Sequence, residues 1–391
     1  MIPSTTGTPP AQTVSTGFVV AIVGFFSSFP IVLQGLDAMG ASHAQAASGL
    51  MAAAMSMGLA GILLSLWTKQ PVSVAWSTPG VALLAVTAAP PGGFEGAVGA
   101  FLVAGALTLV AGLYRPLGRL AGAIPAPLAQ AMLSGVLLSI CIVPFQAAAQ
   151  TPWTALPIIL TWFIVGRINR LAAVPSAVLM AAFVVLQANG FSVPFPATPF
   201  TQLEITLPVF SVEAVLGIAV PLFIVTMATQ NIPGIAVMKS YGYTAEPGPL
   251  LSTVGGASMI SSLIGAPATC LAAITAAMCS NEDSHPDPAQ RYWSAAMAGV
   301  FYCLMGIFAA IITAFAAAAP PLVMGTLAGI ALLGVFANSA QSALADANYR
   351  EAAAITFLVT ASGITVFGLG AAVWGLVAGG IVQLAKKQAT G

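Results

Sequence analysis

Long apolar runs separated by short polar turns follow one another along the whole chain. Runs such as 99–113 and 352–369 carry no charged residue and have the length and character of bilayer-crossing helices. The pattern predicts fourteen spans, seven on each side of a polar, proline-rich linker at 191–210. Their approximate bounds are 14–36, 45–67, 77–89, 94–113, 125–145, 153–167, 172–190, 212–237, 248–264, 267–279, 291–317, 321–337, 351–368 and 370–385. We therefore expect an all-α polytopic membrane protein.

Composition supports this class and excludes others. Of 391 residues, 59% are hydrophobic and 5% are charged, against about 25% charged residues in soluble domains. Ten basic residues balance ten acidic ones, so the sequence lacks the excess of basic residues that is typical of nucleic-acid-binding proteins. The four cysteines lie in apolar segments without metal-ligand spacing, and we expect neither a metal nor another cofactor. The polar start of the chain lacks the features of a cleaved signal peptide, so the first span is expected to stay in place.

Basic residues orient the spans, because lysine and arginine gather on cytoplasmic loops. With a cytoplasmic N-terminus, all ten fall on the inner side: Lys69, Arg115, Arg119, Arg167, Arg170, Lys239, Arg291, Arg350, Lys386 and Lys387. The outer loops carry Asp37, Glu95, Glu204 and Glu213. We expect both termini in the cytoplasm and the protein in the inner (plasma) membrane, surrounded by lipid.

Charge parity also identifies two weak spans. Lys69 and Arg115 lie on the same side of the membrane, so an even number of crossings separates them. Span four is one crossing, and the proline-broken segment 71–89 must be the other. By the same argument, a crossing in 266–279 is required between Lys239 and Arg291. Each weak span is the third of its half. Because each half has an odd number of spans, the second half begins on the opposite side of the membrane, and the two halves are inverted relative to one another. The predicted division is residues 1–190 as the first repeat, 191–210 as the linker and 211–391 as the second repeat.

The sequence AWSTPGVALL, residues 75–84, suggests that span three contains a half-helix beginning inside the membrane. Thr78 reads as its N-cap and Pro79 as its first residue, where a missing N–H costs nothing. Span ten repeats this with Pro267, which would leave two backbone N–H groups free. Paired Gly/Pro-interrupted segments in inverted halves are typical of a transporter binding site. The alternative is a pair of ordinary proline kinks, with the freed backbone groups satisfied by Ser and Thr neighbours.

Two helix N-termini facing one zone favour an anion, because each carries about half a positive charge and free N–H donors. Aromatic and amide side chains in spans one, three and eight complete the candidate site, although core packing and helix–helix hydrogen bonding are the alternatives for them. The candidate substrate-binding residues are Ser28, Phe29, Trp76, Ser77, Thr78, Gly80, Thr226, Gln230, Asn231, Pro267, Ala268 and Thr269.

At these positions the chain resembles the benzoate:proton symporters of the BenE type. The resemblance is most specific in TQNIPGIAVMKSYGY (229–243), GAPATCLAAITAAMC (265–279) and HPDPAQRYW (285–293). That family is similar to the nucleobase and sulfate-type transporters with seven-plus-seven inverted repeats. The resemblance implies short strands leading into half-helices three and ten. It also implies a core domain of spans 1–4 and 8–11, a gate domain of spans 5–7 and 12–14, and proton-driven uptake of benzoate or a similar aromatic carboxylate.

One departure concerns the coupling proton. Nucleobase transporters of this fold carry acidic side chains in spans eight and ten, where this chain has Gln230 and Asn231, and Ala268 and Thr269. Their absence suits an anionic substrate and leaves the proton-carrying residue open. Glu95 and Glu213 fit a role at helix N-termini, and His285, followed by Pro-Asp-Pro, fits a cytoplasmic turn.

Other functions remain as alternatives. A nucleobase or inorganic-anion transporter of the same fold is the nearest one. A membrane-embedded enzyme would need a nucleophile with a base, or paired acids, inside the bilayer, and no span carries them; we expect no enzyme. A passive channel would show charge rings or a polar pore. Both a monomer and a homodimer are compatible with the arrangement.

Overall fold

The computed structural model describes residues 8–114, 116, 125–192, 196 and 198–390, with the backbone alone at 387–390. Arg115 and Arg119 of the predicted cytoplasmic loop and residues 193–195 and 197 of the predicted linker lie outside the described residues. The first half contains α1 (Ala11–Phe26), α2 (Phe29–Ala38), α3 (His43–Thr68), β1 (Val74–Trp76), α4 (Thr78–Ala85), α5 (Gly93–Leu113), α6 (Ala126–Gln150), α7 (Pro152–Ile168) and α8 (Ala173–Ala188).

The second half repeats this mixture of long helices and one strand–helix unit. It contains α9 (Val212–Ser240), α10 (Pro247–Ser262), β2 (Thr269–Leu271), α11 (Ala273–Ser280), α12 (Tyr292–Ile307), α13 (Ala309–Ala317), α14 (Val323–Ala345), α15 (Arg350–Ala361), β3 (Thr365–Val366), β4 (Leu369–Gly370) and α16 (Ala371–Thr390). A 3₁₀ turn, Pro288–Gln290, precedes α12.

Six helical segments in the described residues are long and apolar enough to cross a membrane. A seventh results if α12, with the 3₁₀ turn before it, and α13 together form one bent span. The other predicted spans correspond to shorter apolar helices or to the strand–helix units. Helix length alone therefore does not yield the fourteen crossings that charge parity predicts.

Predicted spans one and eleven are each broken near the middle. Span one divides at Ser27–Ser28 into α1 and α2, and Pro30 lies in the first turn of α2, where its missing N–H is harmless. Span eleven divides at Phe308, where the axes of the two helical parts differ by 55°. A uniform apolar pattern predicts neither break.

The strands implied by the resemblance are present and pair with each other. β1 and β2 run antiparallel, with Val74 opposite Leu271 and Trp76 opposite Thr269. Two further backbone hydrogen bonds extend the pair, from the Ser77 N–H to the Ala268 carbonyl (2.8 Å) and from the Ala272 N–H to the Ser73 carbonyl (3.0 Å). Non-helical backbone is tolerated at membrane depth only where protein satisfies it, and this pairing does so.

Two π-helical stretches interrupt α9, at Val215–Ala219 and Met227–Asn231. Each ends two residues before a proline, Pro221 and Pro233. In a regular α-helix a proline ring clashes with the carbonyl four residues earlier, and the wider π turn relieves that clash. Such π segments are frequent at functional sites.

Small residues allow the long helices to approach closely. α3 packs on α12, α5 on α10, and α6 on α14. At the α3–α12 crossing, a Cβ on either Gly58 or Gly299 would come within 2.5 Å of the carbonyl oxygen of the other. Close backbone approach of this kind drives helix association where the hydrophobic effect does not operate. The largest buried cluster extends from α1–α5 through α6, α9–α12 and α14, and it encloses the strand pair.

Candidate functional site

The start of α4 is capped by Ser77, so the prediction that Thr78 is the cap is wrong. The Ser77 hydroxyl accepts a hydrogen bond from the Gly80 N–H at 3.1 Å. Thr78 is the first helical residue, Pro79 follows it, and the Thr78 side chain is only partly buried. The cap lies one residue earlier because Ser77, the residue after β1, has the non-helical backbone that an N-cap needs.

The second half-helix begins at Ala273, and the prediction that it begins at Pro267 is wrong. Residues 269–271 form β2, and the buried residues Pro267 and Ala268 precede that strand. The Thr269 N–H, predicted to be free, donates to the Ser258 hydroxyl at 3.2 Å. Pairing with β1 satisfies backbone groups in an apolar interior, and this outweighs the preference of proline for a helix start.

The N-terminus of α11 is uncapped. Its N-cap residue, Ala272, has no side-chain acceptor, and within the described residues the N–H groups of Ala273, Ile274 and Thr275 have no hydrogen-bond partner. The Ile274 side chain is 67% exposed. The first N–H groups of a helix carry partial positive charge and attract anions.

Ser77 and Thr226 join α4 to α9. Their hydroxyl oxygens are 2.7 Å apart, and both side chains are buried. Gly80 packs against the same helix, because a Cβ at this position would lie 2.5 Å from the Leu222 Cδ1 atom. These three predicted site residues therefore hold the half-helix in place, and Gly80 is not bordered by free space.

The two predicted amides of α9 have different surroundings. Asn231 is fully buried, and its Oδ1 accepts a hydrogen bond from the Leu271 N–H at 2.9 Å, which ties α9 to β2. Its Nδ2 contacts the Met227 sulfur at 3.3 Å. Gln230 is partly exposed, and its amide makes no hydrogen bond to the part of the chain that the structure describes. Gln230 is thus the amide available to a ligand.

The predicted aromatic residues form a connected group beside the strand pair. The Trp76 indole N–H donates to the Ser28 hydroxyl at 2.9 Å, and the ring centroids of Phe25 and Trp76 are 5.3 Å apart. Trp76 and Phe29 are both buried, and Phe29 also lines an apolar cavity of 220 Å³ together with Phe26. Of this group, Phe26 and Phe29 border free space.

Sequence reasoning missed the hydroxyl pairs that fix the strands. Ser56 of α3 and Thr269 of β2 are 2.7 Å apart, and the Ser73 hydroxyl donates to Thr275 at 2.7 Å. The available signal was the presence of serine and threonine in otherwise apolar spans, although it does not show which residues pair.

The HPDPAQRYW segment holds the C-terminal end of α11. Arg291 is buried, and its guanidinium donates to the Ser280 and His285 carbonyls, each at 2.7 Å. Ser294 donates to the neighbouring Cys279 carbonyl at 3.2 Å. These groups satisfy carbonyls at a helix C-terminus, where a cation is favourable. His285 has the predicted turn role, since its Nδ1 accepts the Asp287 N–H at 3.1 Å.

Tyr243 reinforces the same segment. Its hydroxyl donates to the Pro288 carbonyl at 3.2 Å. Burial raises the pKa of Tyr243 above the ordinary value of 10.0, so the hydroxyl remains a donor at neutral pH.

The fold matches that of membrane transport domains. The transmembrane domain of a cyanobacterial bicarbonate transporter, BicA, matches with a TM-score of 0.60 and 17% identity over 96% of each chain. SLC26A9 matches with a TM-score of 0.60 and 12% identity, over 96% of this chain and 64% of that one. Murine Slc26a9, an anion transporter in the inward-facing state, gives 0.60 and 8% identity, over 97% and 69%. At these identities the likeness concerns the fold.

Sequence comparison identifies the family. The profile of the BenE family, described as benzoate membrane transport protein, matches residues 8–385. The inner membrane protein YdcO of Escherichia coli (strain K12) is 39% identical over 373 residues, 95% of each chain. The benzoate membrane transport protein of Acinetobacter baylyi is 30% identical over 364 residues, 93% of this chain and 92% of that one. The protein belongs to the BenE family of membrane transporters, as its sequence motifs predict.

Proposed function

We propose that the protein imports benzoate, or a related aromatic carboxylate, together with a proton across the inner membrane. The observation that carries this proposal is the uncapped start of α11, which offers three backbone N–H groups. The 30% identical relative is a benzoate membrane transport protein, which supports an aromatic carboxylate as the substrate class.

The carboxylate is proposed to bind at the start of α11. Asn231 binds Leu271, two residues before Ala273, and so holds the adjacent Gln230 near this helix end. Thr78, the first residue of α4, is partly exposed and offers a hydroxyl from the other half-helix. A carboxylate bound by N–H groups and an amide needs no lysine or arginine, and it is released more easily than an ion-paired one.

The other predicted site residues are proposed to position these donors. Ser77 and Thr226 hold α4, Asn231 and Thr269 hold β2, and the Ser28–Trp76 hydrogen bond holds β1. Pro267 and Ala268 lead into β2, and Gly80 permits α4 to pack on α9. Phe29 is proposed to contact the aromatic ring.

The proposed topology has fourteen crossings in two inverted repeats, with both termini cytoplasmic. It is supported by the equivalence of the two strand–helix units, each with a three-residue strand, one linking residue and an eight-residue helix. Antiparallel pairing directs α4 and α11 away from the strand pair in opposite senses, as inversion requires. Trp76 and Leu271 are the last residues of the two strands, and they are offset along the strand direction by two residues, or roughly 7 Å.

The proposed core and gate domains are supported by helix packing. Within spans 1–4 and 8–11, α3 packs on α12 and α5 on α10; within spans 5–7 and 12–14, α6 packs on α14 and α15 on α16. Relative movement of two such groups about the strand pair would expose the start of α11 to each side in turn.

An inorganic anion such as bicarbonate is the second candidate, because the fold matches that of a bicarbonate transporter. Uptake of labelled benzoate into proteoliposomes under an inward proton gradient tests both, with bicarbonate, sulfate, uracil and substituted benzoates as competitors. Competition by substituted benzoates alone is the expected result. Strong competition by bicarbonate, with little benzoate uptake, would favour the second candidate.

A further inference from the structure

Two cavities follow one another along α2. The inner one, of 220 Å³, is bordered by Phe26 and Phe29, and the outer one, of 100 Å³, by Gln34, Asp37 and His43. Ala316 of α13 and Met324 of α14 line both cavities, so these two side chains separate them. We call the two cavities and this constriction the α2 seam.

The two ends of the α2 seam differ in polarity. Every residue that lines the inner cavity is hydrophobic, whereas the outer cavity contains a carboxylate, an imidazole and an amide, and its Asp37 and His43 are exposed. An apolar cavity of about 150 Å³ is large enough to bind benzene. The inner cavity is therefore large enough and apolar enough for an aromatic ring. The outer cavity has polar, exposed side chains, as expected where a cavity opens to water, and we call it the mouth.

The α2 seam is physically connected to the candidate site. Ser28, immediately before α2, accepts the indole N–H of Trp76 in β1. α2 also packs directly on α4, since a Cβ at Gly35 would lie 2.9 Å from the Val81 carbonyl oxygen. The inner cavity, which Phe29 of α2 lines, therefore lies next to elements that contact β1 and α4.

The mouth carries two titratable side chains. Among the residues that line the outer cavity from α2, α3, α13 and α14, these are Asp37 and His43. His43 is held at the first position of α3, whose start is fixed by a capping box between Ser42 and Gln45. Imidazoles ordinarily change charge between about pH 5 and pH 8.

We propose that the α2 seam is the outer entrance for the substrate, and that Asp37 and His43 set how entry depends on external pH. This inference rests on the proposed transport of an aromatic carboxylate. With His43 neutral, the mouth carries one negative charge and repels a benzoate anion. With His43 protonated, the mouth is neutral, so acidification outside favours entry.

The test measures the external KM for labelled benzoate in intact cells that do not metabolise it, with vector-only cells subtracted. The external pH is varied between about 6 and 8, a range in which benzoate remains almost entirely the anion. The wild-type KM should rise with pH, partly because the transported proton becomes scarce. In His43→Gln the KM should be higher than in the wild type at about pH 6 and should change less with pH, because the mouth stays negative and only the effect of the transported proton remains. In Asp37→Asn the KM at about pH 8 should fall at least about threefold.

Glu95→Gln is the matched control, since it removes an exposed carboxylate at the start of α5, among residues that line neither cavity. Its KM profile should equal that of the wild type. If the wild type transports benzoate and both mouth variants keep its KM profile, the entrance inference is wrong and the proposed function stands. If the wild type transports no benzoate, the proposed function itself fails.

A labelling experiment tests the route independently of charge. On a background without the four native cysteines, Met324→Cys should react with an anionic methanethiosulfonate added outside, uptake should stop, and benzoate should slow the reaction. Leu304→Cys, on the exposed face of α12 outside the α2 seam, should leave uptake unaffected. Unchanged uptake by the treated Met324→Cys protein would exclude the α2 seam as the entrance.

Discussion

The hydrogen-bond partners of individual hydroxyl and amide groups distinguish the residues that stabilise this transporter from those that are available to bind a ligand. Ser77 has two partners, the Gly80 N–H and the Thr226 hydroxyl, and it is buried. Thr78, next to it, is partly exposed and makes no side-chain hydrogen bond with the described residues. Adjacent residues of similar chemistry thus have different expected roles.

Replacing Ser77 with alanine should destabilise the protein more than replacing Thr78. Ser77→Ala removes the cap of α4 and leaves the Thr226 hydroxyl buried without a partner, at a combined cost of roughly 2 kcal/mol or more. Unfolding in detergent measures this cost, with Thr78→Ala as the matched control. The double variant Ser77→Ala/Thr226→Val should recover part of it. A larger loss of stability in Thr78→Ala than in Ser77→Ala would indicate that Thr78 is the N-cap of α4.

Replacing Gln230 with leucine should weaken substrate binding without unfolding the protein. A hydrogen bond to a charged group contributes roughly 1.5–3 kcal/mol, so the apparent affinity for benzoate should fall about tenfold or more. Gln187→Leu, which changes an exposed amide at the end of α8, is the control and should bind normally. Unchanged affinity in Gln230→Leu, measured by equilibrium binding, would remove this side chain from the site.

At the scale of elements, the half-helix α11 depends on its neighbours at both ends. β2 is fixed by β1, Asn231 and Ser258 on one side, and Arg291 and Ser294 of the following segment bind its C-terminal carbonyls on the other. An eight-residue helix is too short to be stable alone. Its orientation toward a ligand is therefore a product of these contacts.

Arg291 should be the most sensitive of these anchors. Arg291→Ala leaves the Ser280 and His285 carbonyls without their charged donor and should cost about 3 kcal/mol or more. Arg291→Lys should recover part of the loss, because it keeps the charge and not the guanidinium fork. Arg170→Ala, at an exposed arginine, should leave unfolding nearly unchanged. Equal thermal stability of Arg291→Ala and the wild type would mean that other contacts hold α11.

Long helices could be predicted from sequence, and the short elements could not. Span two was expected at 45–67 and α3 is His43–Thr68; span four was expected at 94–113 and α5 is Gly93–Leu113. A sustained apolar run fixes such bounds locally. A three-residue strand has no detectable period, and β2 forms because β1, almost two hundred residues away, pairs with it.

The candidate site shows the same division. The motif around residue 230 and the helix break near Pro79 were visible in the sequence, and both lie at the strand pair. The partner of each polar group was not visible, because Ser56 and Thr269, for example, are separated by 213 residues. Spacing along one helix cannot show that Asn231 faces β2 while Gln230 remains free.

At the scale of the whole molecule, the proposed inverted topology makes a labelling prediction. On a cysteine-free background, Ala89→Cys and Leu263→Cys should react with an impermeant thiol reagent from outside, and Gln70→Cys and Asn281→Cys only from inside. Ala89 and Leu263 are exposed positions, preferable to the nearby Gly92 and Gly265, whose positive φ angles disfavour a side chain. If Gln70 and Ala89 report the same side, the fourteen-crossing topology is wrong.

The proposed symport makes a prediction about the driving force. One benzoate anion moving with one proton carries no net charge, so the membrane potential does no work on the cycle. An uncompensated charge would contribute about 2.3 kcal/mol per 100 mV. One unit of pH gradient is worth about 1.4 kcal/mol, or tenfold accumulation at equilibrium. Proteoliposomes with an acidic exterior should therefore accumulate benzoate with the potential clamped at zero.

An imposed potassium-diffusion potential should leave that steady-state accumulation unchanged. Passive entry of benzoic acid reaches the same equilibrium, so uptake by empty liposomes is subtracted and the protein-dependent initial rate is compared. The Gln230→Leu protein provides a second control, since its weakened affinity should lower the rate at low benzoate concentration and leave the final accumulation unaltered. Accumulation that follows the imposed potential would contradict one-to-one electroneutral symport and indicate a different stoichiometry or coupling ion.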